Sequence, residues 1–490
     1  MMSSPFSIDG SYTFLGERLP AVDGQTLDVI SPVDGSLVGR VHEFTAREID
    51  AVYASAVKNQ PRWRDTSLDD RARILGDVAD FLDQAVEPLA ELIMMEVAKA
   101  RKDARDEVRR TADFIRFTAE DAKRIIGESM FSDAFPRQTR NKLSVSYRVP
   151  LGCVLAIPPY NYPVNLAMSK VAPGLIAGNA VVLKPPTQGA LVGSAMVELC
   201  HRAGVPAGVL HVVTGRGSRI GDLLVQHPAV DMISFTGSSE TGKELARKAG
   251  MVPLMLELGG KDAAIVLGDA DLDATAADIV AGAFSYSGQR CTAVKRVLVV
   301  ESVADELVGL IEKRVRLLTV GDPRDDAAVT PLVDPGAAEA TEAMVKQAVD
   351  MGARLVVGGG RQNNLMEPTL VDNVIAGMDL AWVEPFAPVL PIIRVTDAAH
   401  AVKLANASEY GLQAAVFARD VDAAMHISLA LDVGTVQING RTARGPDHFP
   451  FLGTKASGMG TQGVRFSIEA MTRLKSTVFN MRPLDLSTLN

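Results

Sequence analysis

The chain has 490 residues, 47% of them hydrophobic and 22% charged, with 50 Lys and Arg against 59 Asp and Glu. The length allows roughly two to four domains, and the composition excludes wholesale disorder. A net charge of −9 excludes a global attraction to nucleic acid or an anionic membrane, so any anion must be held by a local cluster of positive charge.

Residues 1–40 read as short strands and turns, punctuated at Asp23-Gly24 and Asp34-Gly35. Thr45 and Glu48 stand in capping-box spacing and open a helical region over 45–128. Gln60-Pro61-Arg62-Trp63 is expected to separate two of its helices. From about 143 the texture changes to β-type runs alternating with helical stretches. Val154–Ile157, Ala180–Leu183, Val209–Val213 and Met232–Phe235 each end in a Pro- or Gly-bearing loop that leads to a helix. Such units predict a parallel sheet with right-handed crossovers and ligands at the carboxyl ends of the strands. A second alternation fills about 262–440, with strands expected near 263–267, 296–300, 354–357, 389–395 and 413–417. The segment 464–490 contains a further strand at Thr477-Val478-Phe479.

The three cysteines, Cys153, Cys200 and Cys291, are far apart and odd in number, which argues against a disulfide framework and fits a reducing compartment. Neither Cys-x-x-Cys nor His-x-x-x-His occurs, so no metal is expected. Met1–Phe6 lacks a secretory pattern and no apolar run is long enough to span a bilayer, so a cytoplasmic protein without membrane or nucleic-acid partners is expected.

Gly215-Arg216-Gly217-Ser218-Arg219-Ile220-Gly221 fails as a dinucleotide fingerprint by one residue. Phe235-Thr236-Gly237-Ser238-Ser239, between a strand and a helix, suits an anion better, although an ordinary N-cap at Ser238 or Ser239 explains it equally simply. Cys153 and Cys200 sit in apolar runs and read as packing. Cys291, flanked by Gly288, Gln289, Arg290 and Thr292, reads as a nucleophile, its pKa expected to be lowered by Arg290 and a nearby helix N-terminus. Glu257 stands between apolar residues ahead of Gly259-Gly260-Lys261. Two readings are open for it: a general base raised by desolvation, or a structural carboxylate paired with a backbone N–H or Lys261.

Leu256-Glu257-Leu258-Gly259-Gly260-Lys261, Gly288-Gln289-Arg290-Cys291-Thr292, Phe235-Thr236-Gly237-Ser238 and Glu384-Pro385-Phe386-Ala387-Pro388 resemble, in order, the signatures of the aldehyde dehydrogenase superfamily. Tyr160–Asn165, Lys184–Gln188, Tyr286–Lys295 and Ala443–Phe451 resemble its non-phosphorylating glyceraldehyde-3-phosphate-oxidising branch. The resemblance implies an α/β fold of three parts: a Rossmann-type parallel-sheet cofactor domain (1–128, 151–257, 446–463), an α/β catalytic domain (258–445) and a small β oligomerisation element (129–150, 464–490) that makes a homodimer or homotetramer. It implies that Cys291 attacks the aldehyde, that Asn161 and the Cys291 N–H hold the oxyanion, and that Glu257 activates water against the thioacyl enzyme. The implied cofactor residues are Lys184, Thr187, Gly217, Thr236, Gly237, Ser238, Leu258, Gly259, Glu384 and Phe386. Thr187, standing where NAD-preferring relatives often carry a carboxylate, points to NADP. The implied substrate residues are Arg110, Tyr162, Arg290, Thr292 and Arg444, which suit a small phosphorylated aldehyde. Another small anionic aldehyde, such as succinate semialdehyde, is the alternative.

Overall fold

The computed structural model describes residues 6–125 and 127–481. The N-terminal reading at Met1–Pro5 and the expected segment's end at 482–490 lie outside the described residues.

The capping box forms as read: Thr45 Oγ1 accepts from the Glu48 N–H, and Glu48 Oε2 accepts from the Thr45 N–H at 2.8 Å. The helix it opens, Ala46–Asp65, runs straight through Pro61. The expected break there is wrong. Proline forfeits one helical hydrogen bond, but buried Trp63 pins the last turn to the core, its Nε1 donating to Leu175 O at 2.9 Å. The chain breaks instead at Ser67, which caps the helix Leu68–Gln84 by accepting from the Asp70 N–H at 3.0 Å.

The first sheet runs in the order Gly458–Met459, Leu254–Glu257, Met232–Thr236, Cys153–Ile157, Ala180–Leu183, Leu210–Val212. All neighbours are parallel except the first pair. Its side chains divide with a period of two. Val154, Ala156, Val181 and Leu183 join one core with the helices Arg101–Ala122, Asn165–Ile176 and Ala190–Arg202. Leu155, Val182, Ile233 and Leu256 join another with the helix Ala46–Asp65. Both faces are covered, which is why these strands read as continuous apolar runs.

The second sheet runs Arg354–Val357, Thr369–Asp372, Val389–Val395, Arg296–Val300, Ala263–Val266, Gln413–Phe417, Thr435–Ile438. Five of these were expected; Thr369–Asp372 and Thr435–Ile438 are additional. A third, antiparallel sheet joins Thr472–Asn480, Lys142–Pro150 and Glu128–Phe131. The helix Val464–Ala470 buries Val464 and Ile468 in the first core, so by packing this small sheet starts at Thr472 rather than 464.

Glu257 ends a strand of the first sheet, and Lys261 leads directly into the second. Cys291 lies just ahead of the second sheet's strand Arg296–Val300. The carboxyl ends of one sheet therefore face the amino ends of the other, and the candidate site lies in the gap.

Candidate active site

Met232–Thr236 and Leu254–Glu257 are in register, so Thr236 and Glu257 end their strands side by side. Cys291 comes from a tight turn in which Tyr286, Ser287 and Gly288 all have positive φ. A side chain on Gly288 would strike the Ala387 carbonyl, and one on Gly259 would strike the Glu384 carboxylate. Those two glycines let the nucleophile loop, the Glu257 strand end and the turn carrying Glu384 and Phe386 close on one another.

Cys291 Sγ donates to Glu257 Oε1 at 3.6 Å. Glu257 Oε2 accepts from Arg444 Nη1 at 2.7 Å and from Thr236 Oγ1 at 3.2 Å, and Thr236 Oγ1 accepts from Lys170 Nζ at 2.6 Å. Glu257 is thus a buried carboxylate with an ion-pair partner, but that partner is Arg444. Lys261 turns away and donates to Val383 O at 2.7 Å. Lys170 is wholly buried, and burial pulls its ammonium down to about 7. Lys170, Thr236 and Glu257 form a hydrogen-bonded chain that can carry a proton.

The expected electrostatics of Cys291 need correction. Burial, and then the Glu257 carboxylate, push the thiol up, while Lys295 and Arg444 pull the other way. Arg290 does not serve it: Arg290 Nη2 is drawn off to Gly282 O at 2.6 Å. Nor does a helix start there, because Cys291 to Ala293 form a turn. Cys153 and Cys200 are buried, each thiol pushed up to about 12. Geometry distinguishes Cys291: it alone of the three is partly exposed, and it alone has its thiol hydrogen-bonded to a carboxylate.

Asn161 Nδ2 donates to Gln289 O at 2.9 Å, and its second amide hydrogen has no acceptor among the described residues. The Cys291 N–H has no protein acceptor among the described residues. Both donors border a cleft of about 960 Å³ also lined by Thr236, Gly237, Ser238, Leu258, Gly259, Cys291, Glu384 and Phe386. Ser238 does cap a helix, Ser239–Lys248, accepting from the Thr241 N–H at 3.2 Å. Thr236 lines the cleft with Gly237 and Ser238, and its hydroxyl is engaged with Glu257 and Lys170. Pro186 reaches the cleft from the loop that carries Lys184 and Thr187. Lys184 is buried with Pro185 O as its acceptor at 3.0 Å, and burial lowers its ammonium to about 8. Gly217 opens the helix Gly217–Val225, off the cleft's lining.

On the other side of Glu257 lies a cavity of about 800 Å³ bordered by Arg110 and Arg444. Arg110 grips Asp447 with two bonds of 2.7 Å and donates to Arg444 O at 3.1 Å. Tyr162 lies with its ring 3.7 Å from Lys99 Nζ. Arg290 is not on this cavity's lining, and Thr292 is buried, its carbonyl accepting from Thr442 Oγ1 at 3.0 Å. Of the expected substrate set, the cavity brings Arg110 and Arg444 together but its lining does not include Tyr162, Arg290 or Thr292. Sequence reasoning missed Lys170, although a single charge in the apolar run Asn165–Ile176 was a usable signal. It also gave no role to Asp447 or Lys295, which lie inside quoted motifs.

A sequence profile described as "Aldehyde dehydrogenase family" matches residues 20–477. The chain belongs to the aldehyde dehydrogenase family. It is 50% identical over 457 residues to an NADP-dependent glyceraldehyde-3-phosphate dehydrogenase of Streptococcus equinus, covering 93% of this chain and 96% of that one. It is 50% identical over 468 residues to a protein of the same name from Triticum aestivum, covering 95% and 94%. Among solved structures, an NADP-dependent glyceraldehyde-3-phosphate dehydrogenase from Bacillus halodurans C-125 complexed with NADP superposes with a TM-score of 0.95 at 50% identity, covering 97% of this chain and all of the other. The architecture built on these three larger sheets is therefore the aldehyde dehydrogenase fold expected from the motifs.

Proposed function

We propose that the chain oxidises glyceraldehyde 3-phosphate to 3-phosphoglycerate with NADP and without inorganic phosphate, through a thioacyl intermediate on Cys291. The observation that carries this is the position of Glu257, 3.6 Å from Cys291 Sγ on one oxygen and 2.7 Å from Arg444 on the other, so that it joins a residue of the cleft to a residue of the arginine-bordered cavity. The names of the relatives at 50% identity support the substrate and the cofactor.

Glu257 Oε1 takes the thiol proton as sulfur adds to the aldehyde carbon. The second Asn161 amide hydrogen and the Cys291 N–H receive the oxyanion, a contribution of about 3–4 kcal/mol per donor. NADP, when bound, accepts the hydride. Glu257 passes the thiol proton on through Thr236 and the neutral form of Lys170, and as a carboxylate again it takes a proton from water as that water attacks the thioacyl carbon and the Cys291 thiolate leaves. The substrate phosphate competes with Glu257 for Arg444, so substrate arrival loosens the ion pair that occupies the base.

The residues present suit NADP. Glu384 would take the nicotinamide ribose, with Phe386 beside the ring and Leu258 and Gly259 on the wall. Gly237 and Ser238 would meet the pyrophosphate at a helix N-terminus. Thr187 is neutral, and Lys184 is a buried ammonium with spare hydrogens for a 2′-phosphate. This predicts a pH dependence. The phosphate pairs only with protonated Lys184, whose ammonium lies at about 8 in the free protein. Above that pH, binding must take up a proton, and NADP affinity should fall up to about tenfold per pH unit, with NAD affinity flat. Titration of both cofactors across pH checks this. Parallel curves, or an unchanged NADP curve in Lys184→Met, would remove Lys184 from the phosphate site.

Arg444→Ala should lower kcat/KM for glyceraldehyde 3-phosphate about 10²-fold, the scale of one charge-assisted contact, and lower it much less for glyceraldehyde. Equal losses on both would leave Arg444 only as the partner of Glu257. Self-association is supported by the small antiparallel sheet, which exposes Met130, Phe131, Leu474, Val478 and Phe479. The cysteine usage supports a reducing, cytoplasmic setting. One assay tests the whole reading: glyceraldehyde 3-phosphate against succinate semialdehyde, each with NADP and NAD, without inorganic phosphate. Preference for succinate semialdehyde would overturn it.

A further inference from the structure

Lys295 stands four residues after Cys291, ahead of the strand Arg296–Val300, with its side chain 3% exposed. An ammonium has three hydrogens to give. Lys295 gives one to Cys291 O at 2.9 Å, one to Gly260 O at 3.0 Å and one to the Glu384 carboxylate. These acceptors belong to the nucleophile turn, the glycine pair after Glu257 and the turn that carries Glu384. Among the described residues Lys295 is the ion-pair partner of Glu384, and no other is recorded. Lys261 fixes the same turn from its other side through Val383 O. A buried lysine is costly unless its charge is paired and its hydrogens are used, and here both conditions are met at a junction of three site segments. With all three hydrogens engaged, Lys295 has none left for a reacting group.

We propose that Lys295 is a positioning residue: one ammonium sets the spacing between the Cys291 loop and Glu384, and so couples the nucleophile to the carboxylate assigned to the nicotinamide ribose. This rests on the assignments of Cys291 and Glu384 made above. Truncating Lys295 leaves the partly buried Glu384 without its counter-charge and frees two carbonyls, so the ribose ligand and the thiol loop lose their common anchor. It also removes one of the two cations, with Arg444, that offset Glu257 and Asp262 around the thiol.

The test is a double-mutant cycle on NADP affinity, read by equilibrium titration without turnover, with Cys291 alkylation by iodoacetamide at neutral pH as a second readout. Lys295→Met and Glu384→Gln should each weaken NADP about tenfold, and the double variant should be no weaker than the worse single, because the lysine acts through the carboxylate. Lys295→Met should also slow alkylation about tenfold, and Lys295→Arg, which keeps the charge, should restore most of that rate. If Lys295→Met does not fold, Lys295→Gln replaces it in the same cycle. Additive losses, or equal alkylation rates in wild type and the neutral variants, would overturn the proposal while leaving Glu384 as the ribose ligand. Unchanged NADP affinity in Glu384→Gln would overturn the ribose assignment and the proposal with it.

Discussion

Cys291→Ser is expected to abolish turnover while leaving NADP affinity within a few-fold of wild type. The substitution exchanges sulfur for oxygen at the same position, so cleft, glycines and backbone donors stay. What is lost is a nucleophile that Glu257 can deprotonate. A serine hydroxyl is far less acidic than a thiol, and a carboxylate at this distance cannot make up the difference. Loss of a nucleophile elsewhere costs about 10⁶-fold, and a fall of at least about 10⁴-fold, or about 5 kcal/mol of barrier, is expected here. No other cysteine can substitute, because Cys153 and Cys200 are 1% and 0% exposed and lie in the cores. Labelling with a small alkylating reagent should therefore modify one thiol in the native wild type and none in the variant. A residual rate above a few per cent, with the cofactor still bound, would show that Cys291 is not the nucleophile.

The parts of the site that could be read from sequence are those written locally. Cys291 among small and polar residues, Glu257 among apolar ones, and strand ends followed by glycine all announce themselves within a few positions. Four strands of the first sheet and five of the second were readable for a similar reason, since side chains buried on both faces give continuous apolar runs, but Leu254–Glu257 and Thr369–Asp372, though largely buried, were not. Pro61 misled because a local preference met a tertiary anchor, Trp63 on Leu175. Thr435–Ile438 was missed because it is an edge strand, half-buried along its length. The charge pattern of the site was not readable at all. Arg444 meets Glu257 across 187 positions, and Lys170 meets Thr236 across 66. Adjacency in sequence suggested that Arg290 would serve its neighbour Cys291, yet the turn points that guanidinium at Gly282. The folded chain decides which positive group faces the thiol.

Glu257→Ala should separate the two halves of the reaction. If Glu257 mainly activates water, the variant still forms the thioacyl enzyme and releases about one NADPH per site, then stalls, with a steady-state rate down about 10²–10⁴-fold. The geometry makes this demanding, because the same carboxylate lies within reach of the thiol proton and is held by Arg444. Removing it also takes the nearer carboxylate from Arg444, leaving Asp447 at 3.7 Å, and takes the nearby negative charge from buried Lys170, so part of the loss is structural. Glu257→Gln resolves that: it keeps the shape and a donor–acceptor pair beside Arg444 but cannot accept a proton. Rapid-mixing measurements at two pH values distinguish the roles. A burst of unchanged amplitude that is slow near neutrality and recovers at higher pH assigns Glu257 to both steps, since hydroxide can then replace it against the thiol. A fast burst at both pH values assigns it to deacylation alone. Loss of burst and steady state together in both variants, with melting temperature and NADP affinity intact, would move Glu257 to the first step and leave the attacking water to the Lys170–Thr236 pair.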